Sequence, residues 1–302
     1  MRAPLEIALA GRDLLRVADL APAEAEAILD LAVELRDEPR QLLLPGRTLG
    51  LYFSKHSTRT RVSFSAGMTQ LGGAALPLTP EELQLSRGES LPDTAQALSR
   101  YLDALAVRTH EHAELEAWAE WASIPVINAL TADEHPCQAL ADALTIRDRL
   151  GGLEGVRVAW VGDGSNVLVS LAALGDLLGY EVVAATPTGY EPGCNVQRGC
   201  LELTRDPREA VAGADVVVTD TWISMGQERE RAARLADLQP YRLDADLLAL
   251  AAPDAFVLHC LPAHPGEEVT ADVLYGERTA IWDEAENRLH VQKALLVLLL
   301  GG

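Results

Sequence analysis

The chain has 302 residues, 48% of them hydrophobic and 23% charged, and a formal net charge of −20. That length is more than one hydrophobic core usually serves and predicts two domains. The negative balance argues against nucleic acid or an anionic membrane as a partner. No run of about 18 apolar residues predicts a membrane span, and the first residues lack the apolar stretch of a signal peptide, so a cytoplasmic protein is expected. Four cysteines, Cys137, Cys194, Cys200 and Cys260, form no Cys-x-x-Cys pair and have no histidines at zinc-finger spacing, which makes disulfides and structural zinc unexpected.

In chain order, residues 22–36 place Ala25, Ile28, Leu29, Ala32 and Leu35 on one helical stripe, with a proline in the first turn. Residues 48–53 are a β-prone run. They lead into Ser54-Lys55-His56-Ser57-Thr58-Arg59-Thr60-Arg61-Val62-Ser63-Phe64 and a helix ending near Leu71-Gly72-Gly73. A strand feeding a helix through hydroxyls and arginines collects backbone N–H groups, the positive end of the helix dipole and guanidinium groups at one point. Such a point suits an anion, phosphate above all. The plainer reading is a capped helix start with surface arginines, and the density of polar residues favours the site.

A short run at 74–78, a polar loop at 79–90 and a helix over 92–102 follow. Residues 104–109 read as a buried strand carrying Arg108, then come a helix over 111–122 and a strand over 124–128. From His135 a helix over 136–150 runs into Gly151-Gly152, where the domain boundary is expected. The alternation resumes with a strand at 156–161, Gly162-Asp163-Gly164-Ser165-Asn166, a helix to 178, and strands at 182–185, 215–219 and 255–258. A helix over 284–300 closes the chain, too apolar for a solvated tail. Strands alternating with helices predict an α/β protein of two domains, each a mostly parallel sheet flanked by helices, with ligands held by the loops after the strand ends.

Gly162-x-Gly164 between a strand and a helix invites a dinucleotide reading and an NAD-dependent oxidoreductase as the alternative class. The third glycine of that fingerprint is absent, and the next strand ends Ala184-Ala185-Thr186-Pro187 with no carboxylate for a ribose. His135 and Gln138 at a helix start can both face a ligand, although a lone capping histidine has a plainer structural reading. Asp220 after a strand offers a carboxylate for an amine, and Cys260 is either a reactive thiol or a small buried hydrophobe.

Ser57-Thr58-Arg59-Thr60-Arg61, His135-Pro136-Cys137-Gln138, Asp220-Thr221-Trp222-Ile223-Ser224-Met225-Gly226 and His259-Cys260-Leu261-Pro262 occur in this order. Over nearly the whole chain this pattern resembles the transcarbamylases, and its last two motifs resemble the ornithine carbamoyltransferase family in particular. The resemblance implies transfer of a carbamoyl group from carbamoyl phosphate to L-ornithine, giving L-citrulline. It implies a transcarbamylase-like fold with a carbamoyl-phosphate domain over 1–149, joined by the helix at 284–302, and an ornithine domain over 150–283. It further implies that Ser57, Thr58, Arg59, Thr60, Gln84, Arg108, His135, Gln138, Cys260, Leu261 and Arg288 serve carbamoyl phosphate. Gln84 would come from a neighbouring subunit. Asn166, Asp220, Ser224 and Met225 would hold ornithine, and Cys260, Arg108 and His135 would be catalytic. The family works as a trimer or a multiple of trimers and uses no metal or organic cofactor.

Attack by an amine with a lysine-like pKa requires its deprotonation, at a cost of roughly 4 to 5 kcal/mol at pH 7. A Cys260 thiolate stabilised by nearby cations is one candidate acceptor. Three departures from the family pattern stand out: Ser65 in place of a glutamate, Pro265 in place of an arginine, and a shortened stretch between 192 and 204, where a crossover helix is expected to be reduced to a turn.

Overall fold

The computed structural model describes residues 9–193, 199, 201–223 and 228–301. The chain divides into two compact units. The first runs through Ala141 and takes in the residues from Glu286 onward, and the second is Asp142–Ala285.

The elements up to the division are α1 Pro22–Asp37, β1 Thr48–Phe53, α2 Arg59–Gln70, β2 Ala74–Leu78, α3 Leu91–Leu98, β3 Ala104–Arg108, α4 His112–Trp121, β4 Val126–Leu130 and α5 Pro136–Leu150. They continue with β5 Arg157–Val161, α6 Asn166–Leu178, β6 Glu181–Ala185, β7 Leu201–Thr204, α7 Pro207–Val211, β8 Val216–Val218, α8 Arg231–Leu238, α9 Ala245–Leu248, β9 Phe256–Leu258, α10 Ala271–Leu274 and α11 Ile281–Leu300. The division of the chain falls inside α5 and α11. Among the described residues no helix is long and apolar enough to cross a membrane.

In the first unit four parallel strands lie in the order β2-β1-β3-β4. The chain passes from β1 outward to β2 and returns on the other side of β1 as β3, so the carboxyl ends of β1 and β3 meet at a reversal of strand order, where open α/β sheets bind ligands. β1 is buried along all but its first residue, as expected of a parallel strand covered on both faces. Tyr52, Leu105, Val107, Leu115 and Trp118 form the core on one face, with the Tyr52 and Trp118 rings 4.9 Å apart. The last helix is tied in by polar contacts. Lys293, fully buried, donates to the carbonyls of Leu35 and Pro39 at 2.9 and 2.8 Å. It thereby caps the end of α1, whose last carbonyls lack partners within the helix and whose dipole favours a cation. Ser63 Oγ on α2 meets Gln292 Oε1 at 2.6 Å.

In the second unit five parallel strands lie in the order β7-β6-β5-β8-β9. The reversal here falls between β5 and β8. Their core is Val161, Val183, Val217, Val257, Leu274 and Ile281 with their neighbours.

Several elements differ from the sequence expectation. α3 ends at Leu98 because residues 99–102 turn, with Ser99 Oγ donating to the Ala95 carbonyl at 2.7 Å. β4 runs over Val126–Leu130, two residues later than expected, since Pro125 has no N–H to give a ladder and the pairing with β3 extends to Arg108 beside Leu130. β7 and α7 to α10 lie in stretches where sequence periodicity predicts nothing. Of the shortened stretch, residues 194–198 and 200 lie outside the described residues, and β7 follows it as the edge strand beside β6.

Candidate active site

The first unit gathers most of the anion-binding candidates at its sheet reversal. Ser54 leaves β1 with its amide on the Arg108 carbonyl at 2.9 Å, and its hydroxyl lies 3.3 Å from Thr109 Oγ1, so the ends of β1 and β3 are stitched together. Beyond it Thr58 occupies the N-cap of α2 without using its side chain as a cap. The hydroxyl thus makes no cap bond, and the first-turn N–H groups of α2 belong to the same short stretch that carries Ser57, Thr58, Arg59 and Thr60. Arg108, half-buried, ends β3.

A buried hub supports these groups from behind. Arg288 on α11, only 3% exposed, donates from Nη2 to Thr60 Oγ1 at 2.7 Å, and from Nη1 to Gln138 Oε1 and to His135 Nε2, the latter at 3.2 Å. A guanidinium can only donate, so Nε2 of His135 is the acceptor and its proton sits on Nδ1. Burial, reinforced by Arg288, Arg108 and Arg59, holds the His135 pKa well below the usual imidazole value, so the ring is neutral at neutral pH. Gln138 gives its carbonyl oxygen to Arg288, and what it offers any other group is its NH2. Gln84 stands apart: it is exposed on the turn Gln84–Arg87, and its side chain takes no part in the contacts joining Thr60, His135, Gln138 and Arg288.

The second unit gathers the other set, again at its sheet reversal. Asp220, after β8, accepts the Thr221 amide on Oδ1 at 2.8 Å, and Ser165 Oγ lies 3.4 Å from its Oδ2. Ser165 caps α6 through the Val167 amide, which sets Asn166 at the first position of that helix. After β9, Cys260 donates its thiol hydrogen to Asp220 Oδ1 across 3.1 Å. Leu261 takes a left-handed φ of +60° and its bond to Pro262 is cis; its amide donates to His259 Nδ1 at 2.9 Å. His259 is buried, with Nε2 3.3 Å from Glu268 Oε1 and its own amide on Glu284 Oε2 at 2.8 Å. Ser224 and Met225 lie outside the described residues.

Here the structure corrects one expectation. A thiolate at Cys260 held by cations is not what surrounds this sulfur. Burial, then the carboxylates of Asp220, Glu284 and Asp142, push its pKa well above the ordinary thiol value, so Cys260 is a neutral donor. The Gly162-Asp163-Gly164 turn is also explained without a cofactor. A Cβ at Gly164 would lie 2.3 Å from the Pro192 nitrogen and 2.6 Å from the Tyr190 carbonyl oxygen. That glycine makes room for the chain's own backbone.

Among the described residues two groups of side chains bring possible metal-ligand atoms within 4.8 Å of one another: Asp220, His259 and Cys260, and His264, Glu267 and Glu268. Members of both already have hydrogen-bond partners. Cys260 is bonded to Asp220, Glu268 Oε1 accepts the His264 amide, and Glu267 accepts from Arg231.

Ser165, His259, Glu268 and Glu284 carry no role in the sequence reading, although they hold the Asp220 and Cys260 loops. His259 is visible there only as the first residue of a motif. The two glutamates sit among charged residues with no signal of burial.

Comparison with known proteins places this geometry. The profile of the aspartate/ornithine carbamoyltransferase carbamoyl-P binding domain matches residues 12–148, and that of the Asp/Orn binding domain matches residues 154–299. An ornithine carbamoyltransferase of Carboxydothermus hydrogenoformans is 52% identical over 96% of this chain and 98% of its own, and one of Pyrococcus abyssi is 50% identical over 98% of each. Among solved structures, ornithine carbamoyltransferase from Pyrococcus furiosus superposes with a TM-score of 0.95 at 48% identity, covering 98% of this chain and 99% of that one. An anabolic ornithine carbamoyltransferase from Campylobacter jejuni gives 0.89 at 37% identity, covering 94% and 97%. With both halves matched along their length and both sheet reversals carrying the motif residues, this chain belongs to the aspartate/ornithine carbamoyltransferase family.

Proposed function

We propose that the chain transfers the carbamoyl group of carbamoyl phosphate to the side-chain amine of L-ornithine, giving L-citrulline and phosphate. The observation that carries this reading is the buried Arg288 hub. It fixes Thr60, His135 and Gln138 together beside an arginine-rich helix start, which is what a small molecule with a phosphate at one end and an amide carbonyl at the other requires.

In this reading the first unit is the carbamoyl-phosphate half. Ser57, Thr58, Arg59, Thr60 and the α2 amides take the phosphate, with charge-assisted bonds and the helix dipole acting on the same oxygens. Arg108 and the Nδ1–H of His135 polarise the carbonyl and stabilise the oxyanion formed on attack, where one such donor is typically worth about 3 to 4 kcal/mol. A neutral His135 is suited to this, because it adds a donor without adding a charge that burial would oppose.

The second unit is the ornithine half. Asp220 accepts the α-ammonium, and Asn166, Ser224 and Met225 complete the contacts to the amino acid. The side-chain ammonium sheds one proton before attack and a second as the N–C bond forms and the C–O bond to phosphate breaks. Cys260, held as a neutral donor, is not the acceptor for the first, which leaves to solvent. The departing phosphate, a base that the reaction itself generates, takes the second. Cys260 instead orients Asp220 and lines the amine's approach with Leu261.

The active form is a homotrimer or a multiple of trimers in which Gln84 reaches a neighbour's carbamoyl phosphate. It works in the cytoplasm, in arginine metabolism. Exposure of Gln84 on a turn of its own chain supports the first point.

The test is citrulline-type product formation from carbamoyl phosphate with ornithine, acetylornithine, putrescine, lysine and aspartate. We expect kcat/KM for ornithine to exceed the others by on the order of 100-fold, since a site built to bond specific polar groups rejects analogues that lack them. Turnover confined to aspartate or putrescine overturns the reading.

A further inference from the structure

Arg234 on α8 is 7% exposed, an unusual place for a guanidinium. Its Nε donates to the Trp222 carbonyl at 2.7 Å, its Nη2 donates to Asp163 Oδ2, and its guanidinium carbon lies 4.9 Å over the Tyr190 ring. Each partner belongs to a different loop. Asp163 sits in the turn between β5 and α6, three residues before Asn166, and its carbonyl accepts Trp160 Nε1 at 3.0 Å. Trp222 lies two residues after Asp220, where the chain leaves β8 for the segment carrying Ser224 and Met225. Tyr190 follows β6, its carbonyl accepts the Gly164 amide at 2.8 Å, and its hydroxyl donates to Asp237 on the same helix as Arg234 at 2.9 Å.

One buried cation therefore ties together the loops on both sides of the second sheet's reversal, and among the described residues none of its contacts is with a group assigned to substrate. We infer that Arg234 is a positioning residue for ornithine: by holding the Trp222 carbonyl and the Asp163 carboxylate on one guanidinium, it fixes the spacing of the Asp220 and Asn166 loops. The planar guanidinium suits this, because two donors in one rigid fork set both distance and angle. Lysine offers one point charge and cannot reproduce the pair of bonds. The inference rests on the proposed placement of ornithine at Asp220.

Steady-state kinetics on Arg234→Met, Arg234→Lys and Asp163→Asn, with Asp220→Asn beside them, test both layers. We expect Arg234→Met to raise the KM for ornithine about 10- to 100-fold, the loss of one or two charge-assisted bonds. The KM for carbamoyl phosphate should stay within about twofold, because its contacts lie elsewhere. Arg234→Lys should fall between, and Asp163→Asn, which keeps the shape of the turn and the Trp222 bond, should show the same split more weakly. If Arg234→Met does not fold, Asp163→Asn and Arg234→Lys carry the test. Should Asp220→Asn raise the ornithine KM while the Arg234 and Asp163 variants raise neither KM, or raise both alike with a lowered melting temperature, Arg234 is only a packing residue and the inference falls. Should Asp220→Asn leave the ornithine KM unchanged, the placement of ornithine fails first and takes the inference with it.

Discussion

The thiol of Cys260 donates to Oδ1 of Asp220 across 3.1 Å, and the same oxygen accepts the Thr221 amide at 2.8 Å. The two side chains come from the ends of β8 and β9, adjacent strands in the sheet, so the contact needs no mobile loop. It also decides the protonation of the sulfur. A half-buried thiol bonded to a carboxylate, with desolvation first and then Asp220, Glu284 and Asp142 acting on it, has its pKa raised well above the ordinary thiol value.

A first prediction follows from that field. Because the thiol is neutral through the working pH range, Cys260→Ser keeps the donor and should leave both limbs of the pH profile of kcat where they are, while lowering the rate. Iodoacetamide should label Cys260 more slowly than a free thiol at pH 8 and severalfold faster in Asp220→Asn, where one raising influence is gone, as read by peptide mass mapping. The same Asp220→Asn variant should weaken ornithine by about 1.5 to 3 kcal/mol, roughly 10- to 150-fold in Kd, with carbamoyl phosphate unchanged, in calorimetry. A limb that shifts in Cys260→Ser would mean that the thiol ionises after all.

How much of this was legible in the residues depends on which physical signal each one leaves. The sheet strands are apolar runs between turn residues, and Arg108 and Asp220 stand out because a charge directly after such a run is at a strand end. The Asp220 to Cys260 contact is different. Forty residues separate them, and only the adjacency of β8 and β9 brings the sulfur to a carboxylate rather than to the arginines. Arg234 hid for another reason: in Glu228-Arg229-Glu230-Arg231-Ala232-Ala233-Arg234 it reads as one more solvated charge. Its one signal is helical spacing, since it lies four residues before Leu238 on the buried face of α8.

His135 yields a prediction in pH. Its folded pKa is depressed by burial and by Arg288, Arg108 and Arg59, while in the unfolded chain it titrates near about 6.5. Below that value the unfolded state takes up a proton that the folded state refuses, so stability is present above about pH 6.5 and is lost as pH falls. Between pH 7.5 and 5.5 this group costs up to about 1.4 kcal/mol. His135→Gln should remove that share of the acid loss, measured as a smaller drop in unfolding free energy across the interval. Equal slopes in both proteins would mean that His135 is protonated in the folded state, which is incompatible with Nε2 accepting from Arg288.

The last prediction concerns assembly. Gln84 is exposed on the turn Gln84–Arg87, and among the described residues its backbone carbonyl accepts the Gly88 and Glu89 amides while its side chain makes no hydrogen bond. Arg108 ends β3 at the sheet reversal of the first unit. If each active site of a cyclic trimer takes Arg108 from one chain and Gln84 from the next, then Arg108→Ala and Gln84→Ala are each inactive alone and repair one another when mixed. In trimers reassembled at random from equal amounts, roughly one site in four has an intact Arg108 beside a neighbour's intact Gln84, by the symmetry of a closed ring. Activity should climb from near zero toward that fraction of the unmutated enzyme after joint unfolding and refolding, and should stay near zero when the two are merely combined as folded proteins. A refolded mixture that sediments as a trimer yet remains as inactive as either parent would show that the two residues do not serve one site across a subunit boundary.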